Sequence, residues 1–266
     1  MTGTGAMRVV PCFSTLGCGE LELDDVLALA VRRKMPAVEL RTLAGRNELP
    51  SYFESTFSTP ERLADFIRGY PVRIASLDSS CRMIGTTQDG RDEVLALAPW
   101  ATAVGAPSIR VFDGGERGDD SELASAQALL GWWTSLDLAP KLIIETHNAL
   151  AQPGALARFL ERHRDARILW DTHHTWKEGG EAPAVTWTRL RGRCRHLHVK
   201  DSGPDGRYVP PGEGTFPFHE LWAVMRADNF DGVVSLEWER HWFPELPPIE
   251  AALDGFDTVL SSVDQR

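Results

Sequence analysis

Carboxylate and imidazole side chains stand at or near the ends of four short apolar segments in the second half of the chain. The four residues are Glu145 in KLIIE, Asp171 in ILWD, His198 in RHLHV and Glu237 in VVSLE. Three carboxylates and one imidazole form an oxygen-rich ligand set of the kind that suits Mn²⁺ or Mg²⁺. Co²⁺ and Zn²⁺ remain alternative metals for this site, because affinity alone does not select the metal. We therefore predict one divalent metal ion as the cofactor, with Mn²⁺ as the first candidate.

Short apolar segments alternate with longer helical patterns along the chain, and these elements must position the four residues. Strands are predicted at Arg8–Phe13, Ala37–Arg41, Arg73–Asp78, Ser108–Asp113, Lys141–His147, Arg167–Asp171, Arg195–Asp201 and Val233–Glu239. Helices are predicted at Leu23–Arg33, Pro60–Gly69, Arg91–Val104, Ser121–Leu136, Ala155–Arg164, Pro217–Ala227 and Ile249–Ser262. Successive strand starts lie 26 to 38 residues apart. This spacing suits one strand, one helix and two loops.

Eight such units in 266 residues predict an α/β protein that forms a single (β/α)₈ TIM barrel. An open, doubly wound sheet is the competing architecture, and it often carries a glycine-rich phosphate-binding turn after its first strand. The turn at 15–20, TLGCGE, does not match GxGxxG, and the sequence contains no Walker motif. We expect one barrel domain at residues 8–266 behind a flexible leader at residues 1–7.

Side-chain alternation along the predicted strands decides which polar groups enter the barrel. In RHLHVKD, His196, His198 and Lys200 share one face, and Leu197 and Val199 share the other. The outer face of a barrel strand packs against helices, so the polar residues point inward. The same alternation turns inward Glu145, Asp171, Glu237 and Arg110. The carboxylates lie near the C-terminal strand ends, where barrel enzymes place active sites, and a cation would offset the cost of burying them together.

Two interpretations stay open for the inward carboxylates outside the predicted metal site, which are Glu39, Asp78 and Glu239. Each either pairs with an inward Arg or Lys or contacts a substrate. Lys200 likewise either pairs with an inner carboxylate or contacts a substrate. His147 and His196 also point inward, and we expect them to support the metal ligands.

Together these segments resemble the sugar phosphate isomerase/epimerase superfamily, the xylose isomerase-like barrels that also include endonuclease IV. The matching motifs follow the order of the chain: FSTLGCGELELDDVLALA, AVELR, SIRVFDGG, IIETHN, WDTHHTW, HLHVKDS, PPGEGTF and SLEWE. Each motif is weak alone, but eight in order over nearly the whole chain are specific for the superfamily. They are not specific for one activity.

The resemblance implies the same four metal ligands that side-chain alternation selects. It also implies substrate contacts by His174, the second histidine of WDTHHTW, and by Arg207 in the loop after the seventh strand. We add the inward-facing Arg110 and Lys200 to the predicted substrate-binding residues. An endonuclease IV-like nuclease is disfavoured, because DGR at 205–207 stands where the nuclease has an Asp-x-His pair.

The resemblance favours a divalent-metal-dependent isomerase or epimerase of a sugar or sugar-like ketose, acting in carbohydrate metabolism. Such an enzyme transfers a proton next to a metal-chelated carbonyl, and Glu145 and Glu237 would carry that proton. The alternative is a metal-dependent dehydratase, a lyase of an inosose- or dehydroshikimate-like substrate. A third interpretation, a sugar-binding barrel without catalysis, predicts a missing metal ligand, whereas all four are present.

Composition limits the partners and the compartment. The formal net charge is −10, which argues against nucleic acid, and no apolar run approaches the ~18–20 residues that span a bilayer. MTGTGAMRVV is not a secretory signal, and four cysteines without a CxxC pairing indicate reduced thiols in a cytoplasmic protein. We expect a small carbohydrate-like substrate as the partner, no nucleic acid and no membrane, and the resemblance leaves a homo-oligomer open.

Overall fold

Eight parallel strands close into a barrel in the computed structural model, which describes residues 7–264. The barrel strands, numbered one to eight in chain order, are Arg8–Ser14, Ala37–Leu40, Arg73–Ile84, Ser108–Gly114, Lys141–Glu145, Ile168–Asp171, Cys194–Val199 and Asp231–Leu236. Each strand pairs with its neighbours in the sequence, and strand eight pairs with strand one. The predicted (β/α)₈ TIM barrel is confirmed. Residues 1–6 of the expected leader lie outside the described residues.

The observed strands differ from the predicted ones mainly at their C-terminal ends, which form the mouth of the barrel. Strand three continues to Ile84, beyond the predicted end at Asp78. Strands five, seven and eight are shorter than predicted. Lys200 and Glu237 therefore come directly after strands seven and eight, where the chain turns into the loops of the mouth.

Helices cover the outside of the barrel and connect its strands. The α-helices are Leu23–Arg32, Leu49–Phe57, Pro60–Ile67, Gln88–Val104, Asp120–Ser125, Gln127–Ser135, Pro153–Arg162, Thr172–Lys177, Pro183–Leu190, Phe218–Ala227 and Ile249–Ser261. Short 3₁₀ helices lie at Thr15–Cys18, Ala149–Ala151 and Ser262–Asp264. The strands Asp201–Ser202 and Tyr208–Val209 pair into a short hairpin after strand seven. The predicted helix Ser121–Leu136 is divided in two at Ala126.

The sequence pattern misses three helices, at Leu49–Phe57, Thr172–Lys177 and Pro183–Leu190. Each is short, and short helices contain too few apolar repeats to show a clear period. His174, predicted on a loop, lies inside the second of them. That helix begins because a carboxylate oxygen of Asp171 accepts the backbone N–H of His174 (2.8 Å) and so caps its first turn.

The barrel interior contains both apolar and charged side chains. Cys12, Ala37 and Ala75, from strands one, two and three, form a small buried apolar cluster. The larger apolar core lies between the strands and the helices. Barrel interiors are normally packed with branched apolar side chains. Buried charged groups at the mouth therefore indicate where the functional site lies.

Two further observations concern the helices and the cysteines. Among the described residues, no helix is both long enough and apolar enough to cross a membrane. All four cysteines lie in the described part of the chain, where they are buried and form no disulfide.

Candidate metal centre

Three carboxylates and one imidazole converge at the mouth of the barrel. Glu145 and Asp171 are the last residues of strands five and six. His198 is the register partner of Asp171 in strand seven, and Glu237 follows strand eight, where its backbone N–H donates to the carbonyl of Val199 (3.1 Å). One ligand atom from each of the four side chains lies within 4.8 Å of the others, and all four residues are buried. The structure thus brings together the four residues that side-chain alternation selects.

Several donor atoms of this cluster make no directed hydrogen bond within the described part of the chain, although Lys200 and Arg110 form ion pairs with two of them. Both carboxylate oxygens of Glu145, Oδ2 of Asp171 and Nδ1 of His198 are buried and make no directed hydrogen bond with any residue from 7 to 264. His198 Nδ1 lies 3.4 Å from Glu145 Oε1 and 3.3 Å from Glu237 Oε1. Buried polar atoms without partners are costly, and a cation bound among them would remove that cost. The donor set therefore fits a divalent metal ion.

The electrostatics of the cluster also favour a cation. Burial raises the pKa of Asp171 to about 7, against the charge of Lys200 and with Glu237 and Glu145 adding to the rise. Burial opposes the ionisation of Glu237 too, but His198 and Lys200 outweigh it and hold the pKa of Glu237 well below its usual range. The carboxylates therefore repel one another at close range, and a bound metal ion would relieve that repulsion.

Lys200 lies directly after strand seven and contacts the ligand carboxylates. Its ammonium group is 2.9 Å from Asp171 Oδ2 and donates to Glu237 Oε2 (2.6 Å) and to Glu239 Oε1 (2.5 Å). Burial opposes the charge of Lys200, but the carboxylates of Asp171, Glu237 and Glu239 raise its pKa well above the ordinary value. Of the two interpretations left open for Lys200, these contacts favour pairing with inner carboxylates.

Arg110, from strand four, holds the opposite side of the cluster. Its Nε lies 3.2 Å from Glu145 Oε2, and its guanidinium group lies 3.7 Å from Asp78 Oδ2. The same group donates to the carbonyl of Ser79 (2.9 Å) and stacks 4.0 Å from the centre of the Phe112 ring. Burial opposes its charge, but Glu145 and Asp78 raise the pKa of Arg110. Arg110 is therefore a permanent cation beside the Glu145 carboxylate.

The two residues that the resemblance assigns to substrate oxygens lie in different surroundings. His174 Nε2 is 3.6 Å from Asp171 Oδ2 and 3.4 Å from Lys200 Nζ. Burial and the charge of Lys200 hold the pKa of His174 well below its ordinary value, so the ring is neutral. Arg207 follows the turn of the hairpin, with 87% of its side chain exposed and its Nε 3.6 Å from Asp205 Oδ2. The structure places His174 at the cluster and Arg207 on the surface.

Glu39 contacts two histidines inside the barrel, an arrangement that no sequence pattern indicates. Its Oε1 lies 2.7 Å from His198 Nε2, and its Oε2 lies 2.7 Å from His196 Nε2. Strands two and seven are not neighbours, so this contact crosses the interior of the barrel. His196 therefore supports His198 through Glu39, whereas the ring of His147 stacks on that of His174 at 4.4 Å.

A curated relative matches part of the chain. Inosose dehydratase of Clostridium botulinum (strain Eklund 17B / Type B) is 25% identical over 107 residues, which cover 33% of this chain and 35% of that protein. The match therefore spans about a third of the length of the curated relatives.

Solved structures share the fold over nearly the whole chain. The structure of the IolI protein with a binding zinc atom has a TM-score of 0.77 at 15% identity, covering 98% of this chain and 100% of that one. D-psicose 3-epimerase in the presence of D-fructose has a TM-score of 0.72 at 11% identity, covering 95% and 99%. At these identities the likeness shows a common fold.

A family model extends this similarity to the sequence. The model described as Xylose isomerase-like TIM barrel matches residues 27–260, a range that contains all four residues of the cluster. The chain therefore belongs to the xylose isomerase-like TIM barrel family.

Proposed function

We propose that this protein is a divalent-metal-dependent isomerase or epimerase of a sugar or sugar-like ketose. The observation that carries the proposal is the presence of Glu145 and Glu237 in one buried cluster with Asp171 and His198. Two carboxylates beside a polarised carbonyl can remove a proton from carbon and return it at another position. D-psicose 3-epimerase, which shares the fold, supports this class of reaction.

The proposed cofactor is one divalent metal ion held by Glu145, Asp171, His198 and Glu237. When bound, the ion would polarise the substrate carbonyl and acidify the adjacent C–H group. Mn²⁺ is the first candidate, because three of the four ligands are carboxylates. The zinc atom of the IolI structure supports Zn²⁺ as the second candidate.

Glu145 and Glu237 are the proposed acid and base. One carboxylate takes a proton from the carbon next to the carbonyl, and the other delivers a proton to the product, so that protons balance over the reaction. The two residues come from strands five and eight, with strands six and seven between them. They therefore approach the barrel axis from different directions and can act on different sides of a substrate.

His174, Arg207, Arg110 and Lys200 are the proposed substrate-binding residues. The neutral ring of His174 can donate a hydrogen bond to a substrate oxygen beside the cluster. Arg207 is exposed, and its assigned role requires that its side chain turn from Asp205 toward a bound sugar. Arg110 and Lys200 contact ligand carboxylates, so we assign them the additional role of holding those carboxylates beside the substrate.

A metal-dependent dehydratase is the second candidate, and the partial match to inosose dehydratase favours it. Dehydration begins with the same removal of a proton next to a carbonyl. A second carboxylic acid then protonates a hydroxyl group on the neighbouring carbon, which leaves as water while the carbon–carbon double bond forms. Glu145 and Glu237 can serve either reaction.

The proposed partner is a small carbohydrate-like molecule rather than nucleic acid, in keeping with the net charge of −10. The four buried thiols without disulfides support a reducing compartment such as the cytoplasm.

The two activities differ in their products, which provides the test. The Mn²⁺-loaded protein would be incubated in deuterated water with a panel of ketoses, an inosose and dehydroshikimate. Sugar interconversion with deuterium on the reacting carbon, measured by NMR, supports the isomerase or epimerase. A new ultraviolet-absorbing enone without interconversion supports the dehydratase. Absence of both reactions from a protein that holds stoichiometric metal contradicts both candidates.

A further inference from the structure

The carboxylate of Glu39 connects two histidines of strand seven. Glu39 is fully buried in strand two, and its two oxygens contact different rings, His198 Nε2 at 2.7 Å and His196 Nε2 at 2.7 Å. Neither contact has the direction of a hydrogen bond, so within residues 7–264 the observation is the close approach of one carboxylate to two rings. An ionised carboxylate accepts and cannot donate, so a ring nitrogen 2.7 Å from it avoids repulsion only when that nitrogen carries a proton. The approach therefore favours the N–H form of Nε2 in His198.

The other nitrogen of His198, Nδ1, is then the one that can bind a metal once it has lost its own proton. Nδ1 lies 3.4 Å from Glu145 Oε1 and 3.3 Å from Glu237 Oε1, within the ligand cluster. A neutral imidazole with its proton on Nε2 has its lone pair on Nδ1, which is the form that binds a metal there. Without the Glu39 contact, the proton can move to Nδ1 or the ring can turn over, and either change removes the ligand.

We propose that Glu39 is a positioning residue that sets the orientation and the tautomer of the metal ligand His198. His196 completes the arrangement by occupying the second oxygen of Glu39, which keeps the carboxylate from turning away. The inference rests on the metal site of the proposed function. It gives a role in metal binding to strand two, which contributes none of the four ligands.

The same three residues could instead hold a second metal ion, since one ligand atom from each of Glu39, His196 and His198 lies within 4.8 Å of the others. That arrangement would require both Nε2 atoms to lose their protons, and His198 to bind two metals through its two nitrogens. The two separations of 2.7 Å have the length of an N–H···O contact to a charged acceptor, but neither has the direction of a hydrogen bond. The number of metal ions per chain separates the two arrangements.

Glu39→Gln tests the positioning role, because the amide keeps the shape of the side chain but cannot accept from both rings. Asp113→Asn is the matched control. Asp113 is a fully buried carboxylate at the mouth, and its oxygens accept the backbone N–H groups of Asn148 and Leu150 (2.6 to 3.0 Å). Both variants replace one buried carboxylate with an amide, so a general effect of that substitution on the barrel would appear in both.

The measurement is Mn²⁺ affinity of the full chain by competition with a chelator. We expect Glu39→Gln to bind Mn²⁺ about 10- to 100-fold more weakly than the wild type, and Asp113→Asn to bind as the wild type does. At saturating Co²⁺, the visible absorption bands should shift in Glu39→Gln and stay unchanged in the control, because only the former alters a ligand. His196→Asn, which removes the other partner of Glu39, should lose affinity in the same direction and serves if Glu39→Gln does not fold.

Equal Mn²⁺ affinity and equal Co²⁺ spectra in the wild type and Glu39→Gln would overturn the positioning role. Two Mn²⁺ ions per wild-type chain and one per Glu39→Gln chain would also overturn it, in favour of a second metal site. A wild-type protein that binds no divalent metal contradicts the proposed function itself, and the inference falls with it.

Discussion

The ammonium group of Lys200 lies 2.6 Å from the carboxylate of Glu237, one of the four predicted metal ligands, and both side chains are buried. The lysine thereby neutralises one side of the ligand set, while both oxygens of Glu145 and Nδ1 of His198 stay without directed hydrogen bonds within residues 7–264. A buried ion pair is stable only as a pair, because removing one partner leaves a charge without compensation. Lys200 therefore contributes to stability as well as to the site.

Replacing Lys200 with methionine should lower the free energy of unfolding by about 3–5 kcal/mol, since Glu237 and Glu239 would lose their buried cation. Urea denaturation in the presence of a chelator measures this change. Lys141→Met is the control, because Lys141 is exposed at the start of strand five and its replacement should change stability by less than about 0.5 kcal/mol. Equal stability of the two variants would contradict the prediction.

The four residues of the metal cluster can be predicted from the sequence, because their positions depend on two regular features. These are the alternation of side chains along a strand and the closure of the barrel. Once strands six and seven are adjacent and parallel, Asp171 and His198 become register partners, and both point inward. Glu145 and Glu237 follow by the same rule at the ends of their strands. Glu145, Asp171 and His198 lie within strands, and Glu237 is the first residue after its strand, so their positions depend mainly on where the strands run.

The contacts that these residues make with Glu39 and Lys200 cannot be predicted in the same way. Glu39 faces His198 across the barrel, so their meeting depends on strand tilt and on side-chain rotamers, which alternation does not fix. The sequence does not decide whether Lys200 contacts a substrate or a carboxylate, because its long side chain can reach several groups. The helix that contains His174 is six residues long, and the side chain of Asp171 caps its first turn. Such a short helix has no apolar repeat from which it could be predicted.

Removing the metal should lower the thermal midpoint of the protein. A metal ion that binds only the folded state stabilises it by about 2.7 kcal/mol when its free concentration is 100 times its dissociation constant. Calorimetry of the chelator-treated protein, before and after addition of Mn²⁺ or Zn²⁺, measures the difference. Glu145→Gln, which weakens one ligand, should show a smaller rise on adding metal. A midpoint that metal does not change would argue against the site.

Metal binding should release a proton from His198. Burial opposes the charge of this ring, but Glu237, Glu39 and Glu145 outweigh it and raise the pKa of His198 well above its ordinary value. The metal-free ring therefore carries both protons at neutral pH, and Nδ1 must lose one to bind. Affinity for Mn²⁺ should fall as the pH falls, and titration calorimetry in two buffers of different ionisation enthalpy should detect the released proton. An affinity that is constant between about pH 6 and 8 would contradict this expectation.

Glu237→Gln should lower the turnover rate about 10²- to 10⁴-fold, because the amide cannot accept or deliver the transferred proton. The assay would be run at saturating metal, with metal content measured, so that a lost ligand and a lost acid-base group are told apart. Glu213→Gln is the control, since Glu213 is exposed in the loop after the hairpin and should keep wild-type turnover. Unimpaired turnover of metal-loaded Glu237→Gln would remove Glu237 from the acid-base pair.

Substrate binding by Arg207 predicts a change in affinity without a change in stability. Its side chain is 87% exposed, so Arg207→Gln should unfold as the wild type does. Loss of a hydrogen bond from a charged group to a substrate oxygen should raise KM about 10- to 100-fold. Arg68→Gln alters another exposed arginine, on the outside of the barrel and paired with Asp65, and should leave KM unchanged. If both variants have the wild-type KM, the hairpin does not reach the substrate, and recognition depends on the buried residues of the mouth.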